Sequence, residues 1–492
     1  MSARRGGPSR LAFGPRRLAF LFLISALPTG LGLALLTPIG QVADEPAHIA
    51  RADGLLDGQI LGRRLLFINP DTGSPFPYAG VLVSEPILQA SLAELVLGPA
   101  APVPAERLRD ARAIRWNGRI ERDICSNTVP YFPSFYLSGA AGIALAHVLG
   151  GSPLQALYAG RIGMLASYLA MGAAALTLAA WGGPILFVLL SLPMTLSLGA
   201  SFNQDGQLIA AAALAAALLT RDPQRNPKAP LLALVLLALV ACSKPPYGLL
   251  LLATATPLAV PGLWRRLGRV LLASLAPLAW TAVMLRVSLV PFHRPFYHPG
   301  PLWPGSRSVL MQGTSPVDNL RVLLARPSEF VLLPVRFLAH EWLDQIHSAI
   351  GVLGWLTIVL PWWQYLGWML AAIAAAAATL FTVGTGEARA WRGGDAAFVV
   401  LLVIASVWAM EISIYLSWTE VGAATITGPV GRYYLPIAPF LVFLLPPLGL
   451  RLDQRFGAAG VAGFLLTLPC IAMAAIDIFY LPHLVGKIFH LN

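Results

Sequence analysis

A chain of 492 residues in which 57% are hydrophobic and only 12% charged, with a mean hydropathy of +0.69, carries more apolar side chain than a water-soluble core absorbs; charged residues make up about a quarter of an average soluble domain. The net charge of +11 would point to nucleic acid in a soluble protein, but here the basic residues fall in short loops between apolar stretches, the positive-inside pattern of a membrane protein with no nucleic-acid partner. Cys125, Cys242 and Cys470 are widely separated, which suggests neither a disulfide framework nor a metal cluster.

The N-terminus carries Arg4, Arg5, Arg10, Arg16 and Arg17 ahead of an apolar run over 18–38. That run is too long for the hydrophobic region of a signal peptide and lacks a small-x-small cleavage site. It predicts an uncleaved first span with residues 1–17 in the cytoplasm. The next 39–130 form a large loop, rich in charges and turn residues, which the orientation of span 1 places outside the cytoplasm. Within it Arg107, Arg112, Arg115, Arg119 and Arg122, but not Arg109, follow helical spacing on one face. The spacing predicts an amphipathic helix, either solvated or lying on anionic lipid phosphates.

No Asp, Glu, Lys or Arg occurs in 133–160, 162–204, 346–386 or 456–476, and a bilayer-spanning helix needs about 20 such residues. Further spans are expected at 133–150, 154–180, 183–200, 205–221, 229–243, 247–263, 268–289, 363–385, 396–417, 432–449 and 457–480, about 12 with the first. They divide into a bundle within 131–289, a second extracytoplasmic loop over 290–362 and a C-terminal bundle within 363–492. The fold class is an all-α polytopic membrane protein. Loops with Arg221, Arg225 and Lys228, with Arg265, Arg266 and Arg269, with Arg389 and Arg392, and with Arg451 and Arg455 are expected on the cytoplasmic side. From 221 onward the alternation is consistent. Between 131 and 221 it demands an odd number of crossings where four candidates stand, so one is broken, re-entrant or miscounted, and the Gly182, Gly183, Pro184 and Pro193 region is the expected place.

That correction puts several polar groups at one membrane face. Asp44-Glu45-Pro46-Ala47-His48, with Arg51 and Asp53, follows span 1 directly. Such a carboxylate pair can act as a base or hold a divalent cation, Mg2+ or Mn2+; the alternative is a helix N-cap at Asp44 with Pro46 in the first turn. Tyr131 opens an aromatic, proline-containing approach to the next span, which an interfacial aromatic belt also explains. Asn203 and Asp205 stand in an otherwise uncharged region; the carboxylate is a functional candidate, or a cap for the helix it precedes. Lys244, before Pro245-Pro246-Tyr247, offers a point charge for phosphate or merely snorkels. Arg432 and Tyr433, in Gly-Arg-Tyr-Tyr-Leu-Pro, offer a bidentate phosphate ligand beside an aromatic ring, or an interfacial anchor.

The ordered set of Asp-Glu-Pro-x-His, the Tyr-x-Pro approach to the second span, Asn-x-Asp, Lys-Pro-x-Tyr, Leu353-Gly354-Trp355-Leu356 and Gly-Arg-Tyr-x-x-Pro resembles the bacterial membrane-protein family called domain of unknown function 2142. That family in turn resembles the GT-C superfamily of glycosyltransferases. The resemblance implies a GT-C-like bundle of 11–13 helices in the bacterial inner membrane, using a polyprenyl-phosphate-linked sugar as donor. It implies a carboxylate, Asp44 or Glu45, acting on a glycan, lipid or protein acceptor, and basic residues from later loops holding the lipid phosphate. Leu356-Thr357 stands where family members often carry an acid after Leu-Gly-Trp, so no role of that acid transfers.

On this reading the protein is an inverting glycosyltransferase working at the extracytoplasmic face. Asp44 is the expected base, Glu45 orients it or shares a cation, and Lys244, Arg432, Tyr433 and Arg51 hold the donor phosphate. His48, Asn203, Asp205, Tyr131 and Tyr247 contact sugar or support the carboxylates. The rivals are a transporter or flippase for a lipid-linked glycan or other solute, and a noncatalytic envelope scaffold. Polar clusters at span ends and the lack of an internal repeat favour the enzyme over the transporter. Convergence of Asp44, Lys244 and Arg432 on one site distinguishes it from the scaffold.

Overall fold

The computed structural model describes residues 14–68, 75–96, 98–288, 314–381, 385–445 and 458–490. The chain is an all-α polytopic membrane protein. Among the described residues six helices are long and apolar enough to cross a membrane. They are α1 (Pro15–Leu36), α6 (Pro153–Leu178), α11 (Leu263–Val287), α14 (Trp362–Phe381), α15 (Gly393–Trp418) and α16 (Ala458–His490). Three shorter apolar elements complete the bundle: α9 (Asp205–Leu219), α10 (Ala229–Ser243) and a 3-10 stretch, Pro245–Ala255.

The expected span at 247–263 is thus shorter and not α-helical, and the expected span at 432–449 is, over its described part to residue 445, two 3-10 turns, Gly431–Tyr434 and Ala438–Leu444. Pro436 and Pro439, three residues apart, each remove a backbone donor there. In place of a plain loop, 290–362 contains α12 (Pro316–Ala325) and α13 (Glu329–Gly351). Arg451 and Arg455 lie outside the described residues.

At the core of the bundle is α9, whose alanines from Ala210 to Ala213 and from Ala215 to Ala217 are fully buried. A helix apolar on every side is enclosed by others, and its small side chains let neighbouring backbones approach. Gly206 shows how closely: a β-carbon there would meet Gly199 N at 2.5 Å. Two short helices, α7 (Gly183–Ser191) and α8 (Pro193–Gly199), run antiparallel to α9 along its whole length. At one end Ala180 N donates to Thr220 Oγ1 (2.9 Å), and at the other Gly199 packs on Gly206. This segment is broken at Pro193 as expected, yet it crosses the bundle.

The expected span at 133–150 is shorter than drawn from the sequence. Its helix α5 (Leu137–Val148) has 12 residues, about 18 Å at 1.5 Å per residue, against a hydrocarbon core of about 30 Å. Both of its ends touch the 39–130 region: Tyr136 Oη lies 2.7 Å from His48 Nδ1, and His147 stacks on Trp116 at 4.0 Å.

The 39–130 region is a small αβ layer on the end of the bundle. It contains α2 (Glu45–Leu56), α3 (Glu85–Ala93), α4 (Ala105–Ala113) and an antiparallel sheet in the order β1 (Arg63–Ile68), β2 (Pro75–Ser84), β3 (Ile120–Ile124). Val81 and Val83 alternate toward a buried face with Ile49 and Ile87. The single arginine helix expected over 107–122 is not present. The helix ends at Ala113, Gly118 adopts φ +70°, and Arg122 pairs across the sheet with Leu82. Strand pairing overrides the local helical period.

At the opposite end of the bundle from this layer, the basic loops meet. Arg389 pairs with Asp395 (2.9 Å) and donates to Thr256 Oγ1 (2.9 Å), and Arg221 pairs with Glu387.

Candidate functional site

Four span ends converge beneath the αβ layer: the end of α1 with its following turn, the start of α9, the end of α10, and the Gly431–Tyr434 turn. They bring together Asp44, Asp205, Lys244 and Arg432. Lys244 Nζ lies 2.6 Å from Asp205 Oδ1. Arg432 Nη2 lies 2.7 Å from Asp44 Oδ2, and its Nε stands 3.9 Å from Asp205 Oδ2. The four side chains form one alternating chain of charges, so each buried ion is paired.

Aromatic rings wall the cations. Lys244 Nζ sits 4.7 Å from the Tyr433 ring centroid and 5.6 Å from that of Tyr131, and the Arg432 guanidinium 5.4 Å from that of Tyr433, all within cation–π range. His48 stacks on Tyr131 at 6.1 Å. Its burial pushes the imidazole down to about 4 from an ordinary 6.5, so it stays neutral at physiological pH. Tyr247 Oη donates to Tyr433 O (2.8 Å), fixing the turn that carries Arg432. Asn203 Nδ2 donates to Ala43 O (3.1 Å), while its Oδ1 accepts from Asp205 N (2.9 Å). It thereby fastens the start of α9 to the residue before Asp44.

Asp44 is set apart by its backbone and its access. It occupies the position preceding α2 with φ 64° and makes no capping hydrogen bond, so the N-cap reading does not hold. A left-handed conformation is unfavourable for a non-glycine residue, and here it turns the carboxylate away from α2 toward Arg432 and Asn127 Nδ2 (3.2 Å). Its side chain is 32% accessible, against 4% to 10% for Asp205, Arg432 and Lys244. It is the open carboxylate of the cluster. Buried polar atoms without partners, Arg432 Nε and both ends of the Gln204 amide, lie in the same segments.

Glu45 has a different place. Its Oε1 accepts from Arg161 Nε (2.8 Å) and Phe202 N (3.2 Å), and its Oε2 from Arg161 Nη2 (2.5 Å) and Gly40 N (3.0 Å). Arg161 spends its remaining N–H groups on Ala34 O (2.9 Å), Pro38 O (2.9 Å) and Thr37 O, the carbonyls left over at the end of α1. Both side chains are fully buried. Glu45 therefore serves as a bolt between α1, α2 and α6 rather than as an orienting or cation-binding partner of Asp44. The carboxylate pair does not fit a divalent cation: Glu45 is saturated by donors, Asp44 is paired with Arg432, and the described residues contain no group of three His, Cys, Asp or Glu placed to hold a metal.

Arg51 also leaves the expected phosphate set. It is fully buried and donates to Gln59 O (3.0 Å), Ile60 O (2.5 Å) and Tyr131 O (3.3 Å), a backbone clamp that positions Tyr131. Sequence reasoning missed Arg161 and Asn127; a lone arginine between two long uncharged stretches was the available signal for the first. The Leu353-Gly354-Trp355 motif packs beneath the acidic one. Trp355 Nε1 donates to Gly40 O (2.8 Å), and Ala43 N to Gly354 O (3.1 Å).

Residues 27–441 match the family described as predicted membrane protein (DUF2142). The chain belongs to this family. The match runs from within α1 to within the last 3-10 turn and contains every residue of the charged cluster. No curated protein and no solved structure matches the chain.

Proposed function

We propose that this family member is a glycosyltransferase of GT-C type that moves a sugar from a polyprenyl-phosphate donor to an acceptor hydroxyl at the αβ-layer end of the bundle. The observation that carries the reading is the meeting of one accessible, uncapped carboxylate with two buried cations, assembled from span ends as distant in sequence as Asp44 and Arg432. Transfer from a lipid phosphate needs a base for the acceptor proton and fixed positive charge for the departing phosphate. Asp44 is the base. Arg432 and Lys244 bind the phosphate, and Asp205 holds both cations in place beforehand.

In the resting protein Arg432 is paired with Asp44. A donor phosphate competes for the guanidinium as a bidentate partner, which frees the Asp44 carboxylate to meet the acceptor hydroxyl. Asp205, the second carboxylate of the cluster, is buried and held by Lys244 and Arg432, which leaves the acceptor hydroxyl as the nucleophile, and direct displacement inverts the anomeric centre.

A groove of about 670 Å³ between α10 and α11 supports a lipid-linked donor. Leu234, Ala238, Ala276 and Val283 are among its apolar lining. Its lining also includes Cys242 and Phe132, two residues and one residue along the chain from Lys244 and Tyr131, which is compatible with a tail in the groove and a headgroup at the cations.

Purified protein in nanodiscs, given a polyprenyl-phosphate sugar and a glycan acceptor, is expected to transfer the sugar with inversion, and Asp44→Asn to lose transfer while still binding polyprenyl phosphate. Undiminished turnover by Asp44→Asn removes Asp44 from the chemistry. Movement of the intact lipid-linked sugar across the bilayer without cleavage would establish the flippase reading instead.

A further inference from the structure

A second concavity borders the charged cluster without contributing to it. Helix α13 and the segment 424–429 enclose a cleft of about 790 Å³, with Arg336, His340, Glu341, Gln345, Thr425 and Thr427 among its lining residues. That volume is within the roughly 300–1,000 Å³ range of small-molecule sites. Where the groove between α10 and α11 is walled almost wholly by apolar side chains, this cleft sets guanidinium, imidazole, amide, hydroxyl and carboxylate groups among apolar ones such as Phe337 and Ile426, so donors and acceptors are interleaved with apolar surface.

Part of this polar surface is already committed. Arg336 Nε donates to Ala424 O (3.1 Å) and its Nη2 pairs with Glu329. Gln345 Nε2 donates to Pro429 O (3.2 Å), but Gln345 Oε1 is buried without a partner.

The wall of the cleft is continuous with the site. Beyond Pro429 the chain reaches Gly431, whose N donates to Ser348 Oγ (2.8 Å), and Ser348 lies one turn along α13 from Gln345. A β-carbon on Gly431 would sit 1.9 Å from Gln345 O, so only glycine lets this strap lie against α13. Arg432 follows immediately. Cleft wall and phosphate ligand are thus one stretch of chain clamped to one helix.

We propose that this cleft binds the acceptor as a polyhydroxylated glycan, with its reacting end directed along 429–432 toward Asp44. The inference rests on the glycosyltransferase reading and narrows its acceptor from glycan, lipid or protein to glycan. A lipid tail leaves the charged and amide groups of this lining unmatched, whereas a sugar chain, with hydroxyls around apolar ring faces, matches donors and acceptors interleaved with apolar surface.

The test uses the full chain in nanodiscs and immobilised oligosaccharides of two to about six hexose or deoxyhexose units, a length set by the cleft volume. Wild-type protein is expected to be retained by at least one of them. Thr427→Trp, which fills the cleft, is expected to abolish retention, and His340→Ala, at an exposed position, to weaken it about tenfold. Both variants should bind undecaprenyl phosphate as wild type does. Absence of wild-type retention, or retention unchanged by either correctly folded variant, overturns the inference. Retention with the expected variant pattern but no binding of undecaprenyl phosphate to wild type overturns the glycosyltransferase reading instead, leaving a glycan-binding cleft in a protein of another activity.

Discussion

Asp44 and Glu45 are neighbours in sequence with the same charge, and the fold gives them opposite work. Glu45 is fully buried, with donors on both oxygens and Arg161 alongside. Asp44 is partly accessible and is held by one arginine and one amide in a strained backbone conformation. A charge with all its hydrogen-bonding positions filled inside protein has no capacity left for a substrate. A charge at the rim of a paired cluster can exchange its partner for an incoming one. The contrast separates a carboxylate that holds the structure from one available for chemistry.

Substituting each in turn should break the comparison in different observables. Asp44→Asn is expected to lower sugar transfer by about 10²–10⁴-fold, the usual contribution of a general base. Its thermal midpoint in detergent should fall less than that of an Arg161 variant, since buried Arg432 keeps Asp205 at 3.9 Å and asparagine keeps a hydrogen-bonding oxygen. Arg161→Met should do the reverse in kind, costing about 3–5 kcal/mol of stability by leaving Glu45 charged and unpaired. Adding Glu45→Leu to it should restore part of the loss in thermal unfolding. If Arg161→Met melts as wild type does, Glu45 is not the bolt described above.

His48 sharpens the same contrast through pH. Its imidazole is held neutral down to about 4 in the folded chain, against 6.5 ordinarily, so between these values the unfolded state takes up the extra proton. Its contribution is complete above pH 6.5 and is lost as pH falls toward 4, by on the order of 3 kcal/mol over the window. Asp53 and Asp123, pushed up to about 6 by burial, favour the folded state on acidification. The informative quantity is therefore the stability difference between wild type and His48→Asn, which should narrow from pH 6.5 to 4. A difference independent of pH would contradict the burial of a neutral ring.

Arg432→Gln is expected to weaken polyprenyl-phosphate binding by roughly 10-fold to 100-fold, the range for a hydrogen bond to a charged group. Arg432→Lys should recover only part of it, because a point charge cannot replace the bidentate fork. Equal affinity of the glutamine variant would place the phosphate elsewhere. The smallest effect belongs to the surface arginines: Arg112→Ala on α4 should change stability by less than about 0.5 kcal/mol.

The sequence by itself determined the membrane class, the large layer after the first span, the broken segment at Pro193 and the residues that meet at the site. These are legible because long uncharged runs have no stable place in water, and because ionisable residues beside such runs are few. What it could not determine was which carboxylate does which work. Glu45 meets its partner only through Arg161, more than a hundred positions away, and a local sequence window holds no record of that pairing. The sheet, the short α5 and the split arginine run were hidden for the same reason: strand pairing and helix length are decided by distant contacts that outweigh local period. Asp44 was legible as a polar residue after a span. Only the tertiary structure, by filling the bonds of its neighbour and leaving its own open, made it the candidate base.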